Sequence, residues 1–375
     1  MLPDEVLLAI FYFYVDEASD IAFLTPFSKK DVEEWQTLAH VCWRWRGVVF
    51  GSPRRLNLRL ACTPRNLARD SLNIWPALPL VILSNRYTGD LDNITAVLER
   101  NGDRVCQIKL TCPKISQLKN VWAAMQAPFP ELTHLRLCSF RTVYDLPDSF
   151  LGGSAPRLQF LDLCNIPLSS LPTLLLSATH LVDLRLSDIP QPGYISPEAM
   201  VTVLSTLTSL RSLLLNFSYS LTLPDWESLR SPLSTRSVLP ILTFCFEGFS
   251  KYLEDFVARI DAPRLDHVSI NFFNDTVFDI PQLLQLISRT PTLKAFEKAH
   301  VWFTTCGAML RLSSRESDYD AFIVRIRCSR SDFQVSFMEQ VCTSCLPPVS
   351  RLEDLCIFKN EHSYNVWQSN IENTV

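Results

Sequence analysis

The sequence predicts an α/β protein: an all-helical start, then an irregular stack of short parallel strands with helices on the opposite side. Two observations carry this. Residues 2–50 hold two apolar stretches at helical spacing, and further on the pattern L-x-x-L-x-L recurs at intervals of 23–29 residues from Leu132 to Leu293. The 375-residue length and 47% hydrophobic content belong to a folded chain with two or three domains or one extended array.

The first element is "LPDEVLLAIF", residues 2–11. Pro3 suits a first helical turn, where its missing N–H would have had no partner. Asp4 and Glu5 sit at the positive end of the helix dipole. Val6, Leu7, Ile10, Phe11 and Tyr14 recur at helical spacing, and Leu8, Ala9 and Phe13 widen the apolar stripe. So wide a stripe belongs to a buried helix or to one shared between two proteins. The stretch lacks the basic lead-in of a signal peptide and is too short for one. The second element is "WQTLAHVCWRWRGVVF", residues 35–50, with Trp35, Leu38, Val41, Cys42, Trp45, Val48 and Val49 on one face. Ser28 with Asp31 provides a start signal close to a capping box.

The repeats follow. Complete copies include "PELTHLRL" at 130–137, "PRLQFLDL" at 156–163, "THLVDLRL" at 179–186, "TSLRSLLL" at 208–215 and "PRLDHVSI" at 263–270. Anchors fall at Leu132, Leu158, Leu181, Leu210, Leu239, Leu265 and Leu293. Weaker copies at Leu78-Val81-Leu83, Val105-Ile108-Leu110, Ala321-Val324-Ile326 and Leu352-Leu355-Ile357 bring the candidate units to eleven. Where the pattern is complete, the second and third apolar residues stand two apart, so both point inward from a short strand. One strand cannot bury that face alone, whereas stacked strands build a continuous core. Intervening stretches such as 196–208 and 279–291 have helical periodicity. A period of about 20–29 residues with this pattern is the leucine-rich-repeat signature. The usual asparagine three residues after the last leucine is replaced by Phe140, Ile166, Ile189, Ser218 and Glu247, so irregular curvature is expected. The third position also fails at Lys298. The expected division is a helical module over 1–50, a connecting segment over 51–77 and a repeat domain over 78–375 without a closing cap.

"LPDEVLLAIF" together with "LAHVCWRWRGVVF" resembles the F-box, a helical module that docks on the Skp-type adaptor of SCF ubiquitin ligases. Leu2, Pro3, Glu5, Val6, Leu7, Ile10 and Phe11 match its first part, and Val41, Cys42, Trp45 and Arg46 its second. With the repeats, the chain resembles the F-box proteins of mushroom-forming fungi that carry degenerate leucine-rich repeats. The resemblance implies a non-catalytic substrate receptor in an SCF-type ubiquitin ligase. Leu2, Pro3, Val6, Leu7, Ile10, Phe11, Val41, Cys42, Trp45 and Arg46 would meet the adaptor, and through it the cullin. The alternative is a stand-alone repeat scaffold or inhibitor in which these residues pack the module's own core or its junction with the repeats.

The repeat register places Lys109, Arg136, Asp162, Arg185, Asn216, Asn271, Arg325 and Arg327 on the concave face, the usual binding surface of such arrays. Its cations suit an acidic or phosphorylated segment of a target protein. The net charge of −4 gives no general reason to expect nucleic acid. No apolar run approaches the about 18–20 residues of a membrane span. Twelve cysteines without a signal peptide imply reduced thiols and a cytoplasmic or nuclear setting. "CTSC" at 342–345 has no second ligand pair, so no metal is expected. No nucleophile or phosphate-cradling motif occurs, and no cofactor is implied.

Overall fold

The computed structural model describes residues 2–16, 32–64, 77–84, 91–112, 115–140, 145–167, 169–190, 193–218, 236–273, 280–294, 296–313, 322–345 and 354–360. The architecture is α/β with mostly parallel strands. The chain divides into two compact units, Met1–Phe160 and Leu161–Val375.

The first unit begins with helix α1 (Asp4–Asp16), which carries Asp4 and Glu5 in its first turn. Arg44 fastens its start, donating to Asp4 Oδ1 at 2.6 Å and to the carbonyl of Leu2. The second apolar stretch is not one helix. It divides into α2 (Trp35–Val41) and α3 (Trp43–Gly51) at Cys42, whose backbone is extended at φ −159° and ψ 168°. The Cys42 sulfur accepts a 3.5 Å hydrogen bond from the Trp45 N–H and so caps α3. Phe11 packs against Trp45 with ring centroids 4.7 Å apart, and Trp35 against Phe50 at 5.8 Å. Ser28 and Asp31 lie outside the described residues.

Strand β1 (Leu60–Cys62) follows, inside the stretch expected only to connect. Then come β2 (Leu80–Ser84), α4 (Asp92–Asn101), β3 (Val105–Cys112), α5 (Ile115–Ala124) and β4 (His134–Ser139). The four strands lie side by side in chain order, all parallel. Ile108 aligns with Leu135 and Leu110 with Leu137, and all four are fully buried. The expected pattern fails at β2. Ile82 and Ser84, not Val81 and Leu83, align with Ile108 and Leu110, because the ladder slips between Leu80 and Val81. The run "LVILS" is apolar at successive positions, so alternation did not mark its faces.

The second unit opens on β5 (Phe160–Cys164), whose first residue closes the first unit. It continues with α6 (Leu171–Ser177), β6 (Asp183–Ile189), α7 (Pro197–Leu204) and β7 (Ser212–Phe217). Next come β8 (Ser237–Val238), β9 (Thr243–Gly248), α8 (Ser250–Ala258), β10 (Ile260–Asp261), β11 (His267–Phe272) and α9 (Pro281–Arg289). It ends with β12 (Lys298–Thr304), β13 (Gly307–Ser313), β14 (Phe322–Arg327), α10 (Ser331–Cys345) and β15 (Asp354–Asn360). Its main sheet has the order β5-β6-β7-β9-β11-β14-β13-β12-β15, and β8 pairs with β10 separately.

Leu184, Leu213, Phe244, Val268 and Phe322 form one inward row, each at most 1% exposed. The β9 copy is anchored on Ile241, two residues later than expected, because Leu239 and Ile241 are both apolar and both buried. An even slip leaves the faces unchanged. Behind this row α8 brings Tyr252 and Phe256 against Phe217, Phe246 and Phe244, with centroids 4.5 to 6.1 Å apart for the pairs Phe217–Tyr252, Phe244–Phe256 and Phe246–Tyr252. Glu254 of the same helix accepts from the N–H groups of Gln282 and Leu283 at 2.8 and 3.0 Å, a carboxylate seated on the positive end of α9.

The parallel, chain-ordered stack ends at β11. β12 and β13 form an antiparallel hairpin, β14 runs antiparallel to β13, and β14 rather than β12 lies beside β11. At the hairpin Gly307 passes so close to Ile326 that an added Cβ would lie 2.1 Å from its carbonyl oxygen. This accounts for the broken pattern at Lys298: the strand that begins there is not the next repeat. The last expected copy also departs, since Leu355 and Ile357 are 49% and 66% exposed. Ala321 and Leu352 lie outside the described residues.

Candidate functional site

Two surfaces carry the residues singled out from the sequence. The first is the N-terminal helical module. Its apolar stripe divides in two: Leu7, Phe11, Trp35 and Leu38 are buried, whereas Leu2, Val6, Ile10 and Val41 are exposed. Leu7 and Phe11 are thus core residues. Phe13 and Trp43, 75% and 85% exposed, add to the outer face and were not among the expected contacts. Pro3 and Cys42 are exposed, and Trp45 is half-buried beneath Phe11. Arg46 donates through Nε to the Ala39 carbonyl at 3.1 Å and so ties α3 to the end of α2.

The module also meets the strands of its own unit. Leu60 donates its N–H to Pro79 beside β2, so the groups of Arg59 and Ala61 point to the other edge of β1. Both find partners there. Trp35 Nε1 donates to the Arg59 carbonyl at 2.8 Å, and the Glu33 carboxylate accepts from the Ala61 N–H at 3.0 Å. Val32 packs with Cys106 over a buried cluster of Ala61, Val81 and Leu83. This explains how β2 can be apolar on both faces: part of the face away from the inward leucines is covered by the segment leading into α2.

The second surface is the face of the second unit's sheet away from its inward row. Strand pairing sets Asn216, Glu247, Asn271, Arg325, Met309, Trp302 and Phe358 side by side in one line. Glu247 is its polar centre. Its Oε1 accepts from Asn271 Nδ2 and from Arg327 Nη2, each at 3.1 Å. Burial, then the carboxylate of Asp188, push Glu247 up to about 7 against the guanidinium of Arg325. Asn271 and Arg325 are buried, and Arg325 Nε lies 3.0 Å from Met309 Sδ. The line ends in an aromatic shelf, with Trp302 stacked on Phe358 at 5.3 Å, His300 beside both, and Arg311 over the Trp302 ring at 5.2 Å.

The expected target-facing residues thus divide. Asn216, Asn271, Arg325 and Arg327 gather around or beside Glu247. Arg185 is held by Asp183 on its own strand, and Asp162 is buried on β5. Lys109 and Arg136 belong to the first unit, where they are directly opposite each other on β3 and β4. Two of the arginines read as anion ligands therefore already hold carboxylates, Arg185 with Asp183 and Arg327 with Glu247. Glu247 was read only as a failed asparagine position. Register alone reveals its role, since the corrected β9 alignment sets it opposite Asn216 and Asn271. Trp302, Phe358 and Arg311 were missed because the hairpin that assembles them leaves no repeat signal.

Burial pushes the thiols of Cys106 and Cys245 up to about 11, and that of Cys342 likewise. Among the described residues no three His, Cys, Asp or Glu side chains converge in a way that could hold a metal ion. No described helix is long and apolar enough to cross a membrane. No protein-family model and no curated protein matches this chain.

Proposed function

We propose that this chain is the substrate-recognition subunit of an SCF-type ubiquitin ligase. Its N-terminal helices dock on a Skp-type adaptor and its strand face holds a target protein. The observation that supports this is the doubled apolar character of the module. After Leu7, Phe11, Trp35 and Leu38 have filled its core, Leu2, Val6, Ile10, Phe13, Val41 and Trp43 still face solvent. An apolar patch of this kind marks an interaction site. The chain itself is non-catalytic: held on the adaptor–cullin assembly in the cytoplasm or nucleus, it raises the local concentration of the target beside a partner enzyme. On the target side the free chemistry is the aromatic shelf at Trp302 and Phe358, because Arg185 and Arg327 already hold carboxylates.

The test is capture of a purified Skp-type adaptor by the full chain. Ile10→Asp, on the outer face, is expected to weaken capture by more than about tenfold while leaving stability within about 0.5 kcal/mol. Phe11→Ala, beneath it, is expected to cost about 3–5 kcal/mol of the module's stability. Absence of capture by the parent chain, or equal capture by Ile10→Asp, overturns the reading.

A second reading has its own support. Glu33 and Trp35 satisfy the open edge of β1, which is the work of a terminal cap on a strand stack. On this reading the module only closes the array, and the protein is a stand-alone interaction scaffold or inhibitor. Full stability with no adaptor binding would favour it.

A further inference from the structure

An outer strand of each unit's sheet is treated differently by the sequence. The outward backbone groups of β1 meet Trp35 and Glu33. β15 is the last strand in the second unit's sheet order, and among the described residues no strand pairs with its far side. Asp354 donates its N–H to Glu297 at the start of β12. Alternation along a strand then turns the N–H and C=O groups of Leu355, Ile357 and Lys359 to the free edge. Leu355, Ile357 and Phe358 are 49%, 66% and 44% exposed, and residues 355–358 read Leu-Cys-Ile-Phe with no proline, glycine or charge. Such an edge is a template for another strand.

We propose that a second copy of this chain occupies it, β15 pairing antiparallel with its counterpart about a two-fold axis at Ile357. The strand's own sequence points to this occupant. Only residues of one parity face the edge, so a two-fold pair must set like parity against like parity. Centring on Ile357 is the one register that pairs all seven residues of β15. Ile357 then meets its own counterpart, and Leu355 lies opposite Lys359, in the hydrogen-bonded positions. Cys356 faces Phe358 in the close, non-bonded position. At each end the register sets Asp354 opposite Asn360. No like charges stand opposite each other, an arrangement that would otherwise oppose pairing. The interface is isologous and closes on itself, so it yields a dimer and not a filament. It extends the second unit's sheet across two copies and brings their Trp302–Phe358 shelves toward a common centre.

Sedimentation velocity of the full chain over a rising concentration series tests this. The parent chain is expected to pass from monomer to dimer. Ile357→Lys and Ile357→Glu, each setting like charges opposite, are expected to weaken the dimer by more than about tenfold. An equimolar mixture of the two restores it, because the position faces itself. Ile357→Pro also gives a monomer, and it leaves the ladder to β12 intact because the lost N–H points away from that strand. Ile357→Thr, which keeps the branched side chain, gives a weakened dimer should the charged variants misfold. A parent chain that stays monomeric throughout, position-357 variants that associate as the parent does, or a mixture no tighter than its components each overturns the proposal.

Discussion

Glu247 joins three strands through one carboxylate oxygen, with Asn271 and Arg327 as donors. It does so in a place that burial and Asp188 make unfavourable for a negative charge. Its proton affinity rises from about 4.5 to about 7 on folding. Between those values the native chain holds a proton that the unfolded chain has released. The contribution of this residue to stability therefore falls as pH rises from about 4.5 to about 7 and is level beyond. Urea unfolding at a series of pH values is expected to give a flatter profile for Glu247→Gln over that window, with a difference on the order of 1–3 kcal/mol between its ends. A parallel profile would place the titration elsewhere. Near neutral pH the carboxylate is only partly ionised, so the attachment of Arg327 to it is pH-sensitive.

At the scale of single elements, the module's hold on β1 is the least foreseeable contact. Trp35 reads in sequence as the first residue of an apolar face, yet with Glu33 it saturates an open strand edge. A buried backbone group left without its partner costs about 1–3 kcal/mol. Glu33→Ala and Trp35→Phe are each expected to lower the melting temperature and to speed amide exchange at Ala61 and its neighbours. Trp35→Phe keeps most of the apolar volume, so its effect isolates the hydrogen bond to Arg59. The elements legible beforehand were those whose apolar residues alternate with polar ones. Leu132-Leu135-Leu137, Leu181-Leu184-Leu186 and Leu210-Leu213-Leu215 are all buried as expected, each set within its own unit. At β2 and β9 consecutive apolar residues left the phase open, and the structure settled it one residue away in the first case and two in the second. The break of the second helix at Cys42 carried no proline or glycine to announce it.

For the whole molecule, the chain-ordered portion of each unit behaves as a row in which each strand touches only its neighbours, so damage should spread along the row. Leu213→Ala in β7 removes a fully buried side chain and is expected to cost about 2–5 kcal/mol. Hydrogen exchange should rise first in β6, β7 and β9; uniform acceleration throughout the second unit would show cooperativity beyond nearest neighbours. Sequence alone could not give the strand order beyond β11, because a repeat pattern records what each segment buries and not which neighbour it meets. The antiparallel hairpin has a consequence for synthesis. As the chain leaves the ribosome, β6, β7, β9 and β11 can each settle on the main-sheet strand already made, but β12 and β13 emerge with no docking place of their own. A two-stranded hairpin is marginal in water by itself, so this pair must wait for β14, the one strand that joins it to β11. Translation must therefore run through Arg327 before the last third of the second unit can leave its most exposed and aggregation-prone stage.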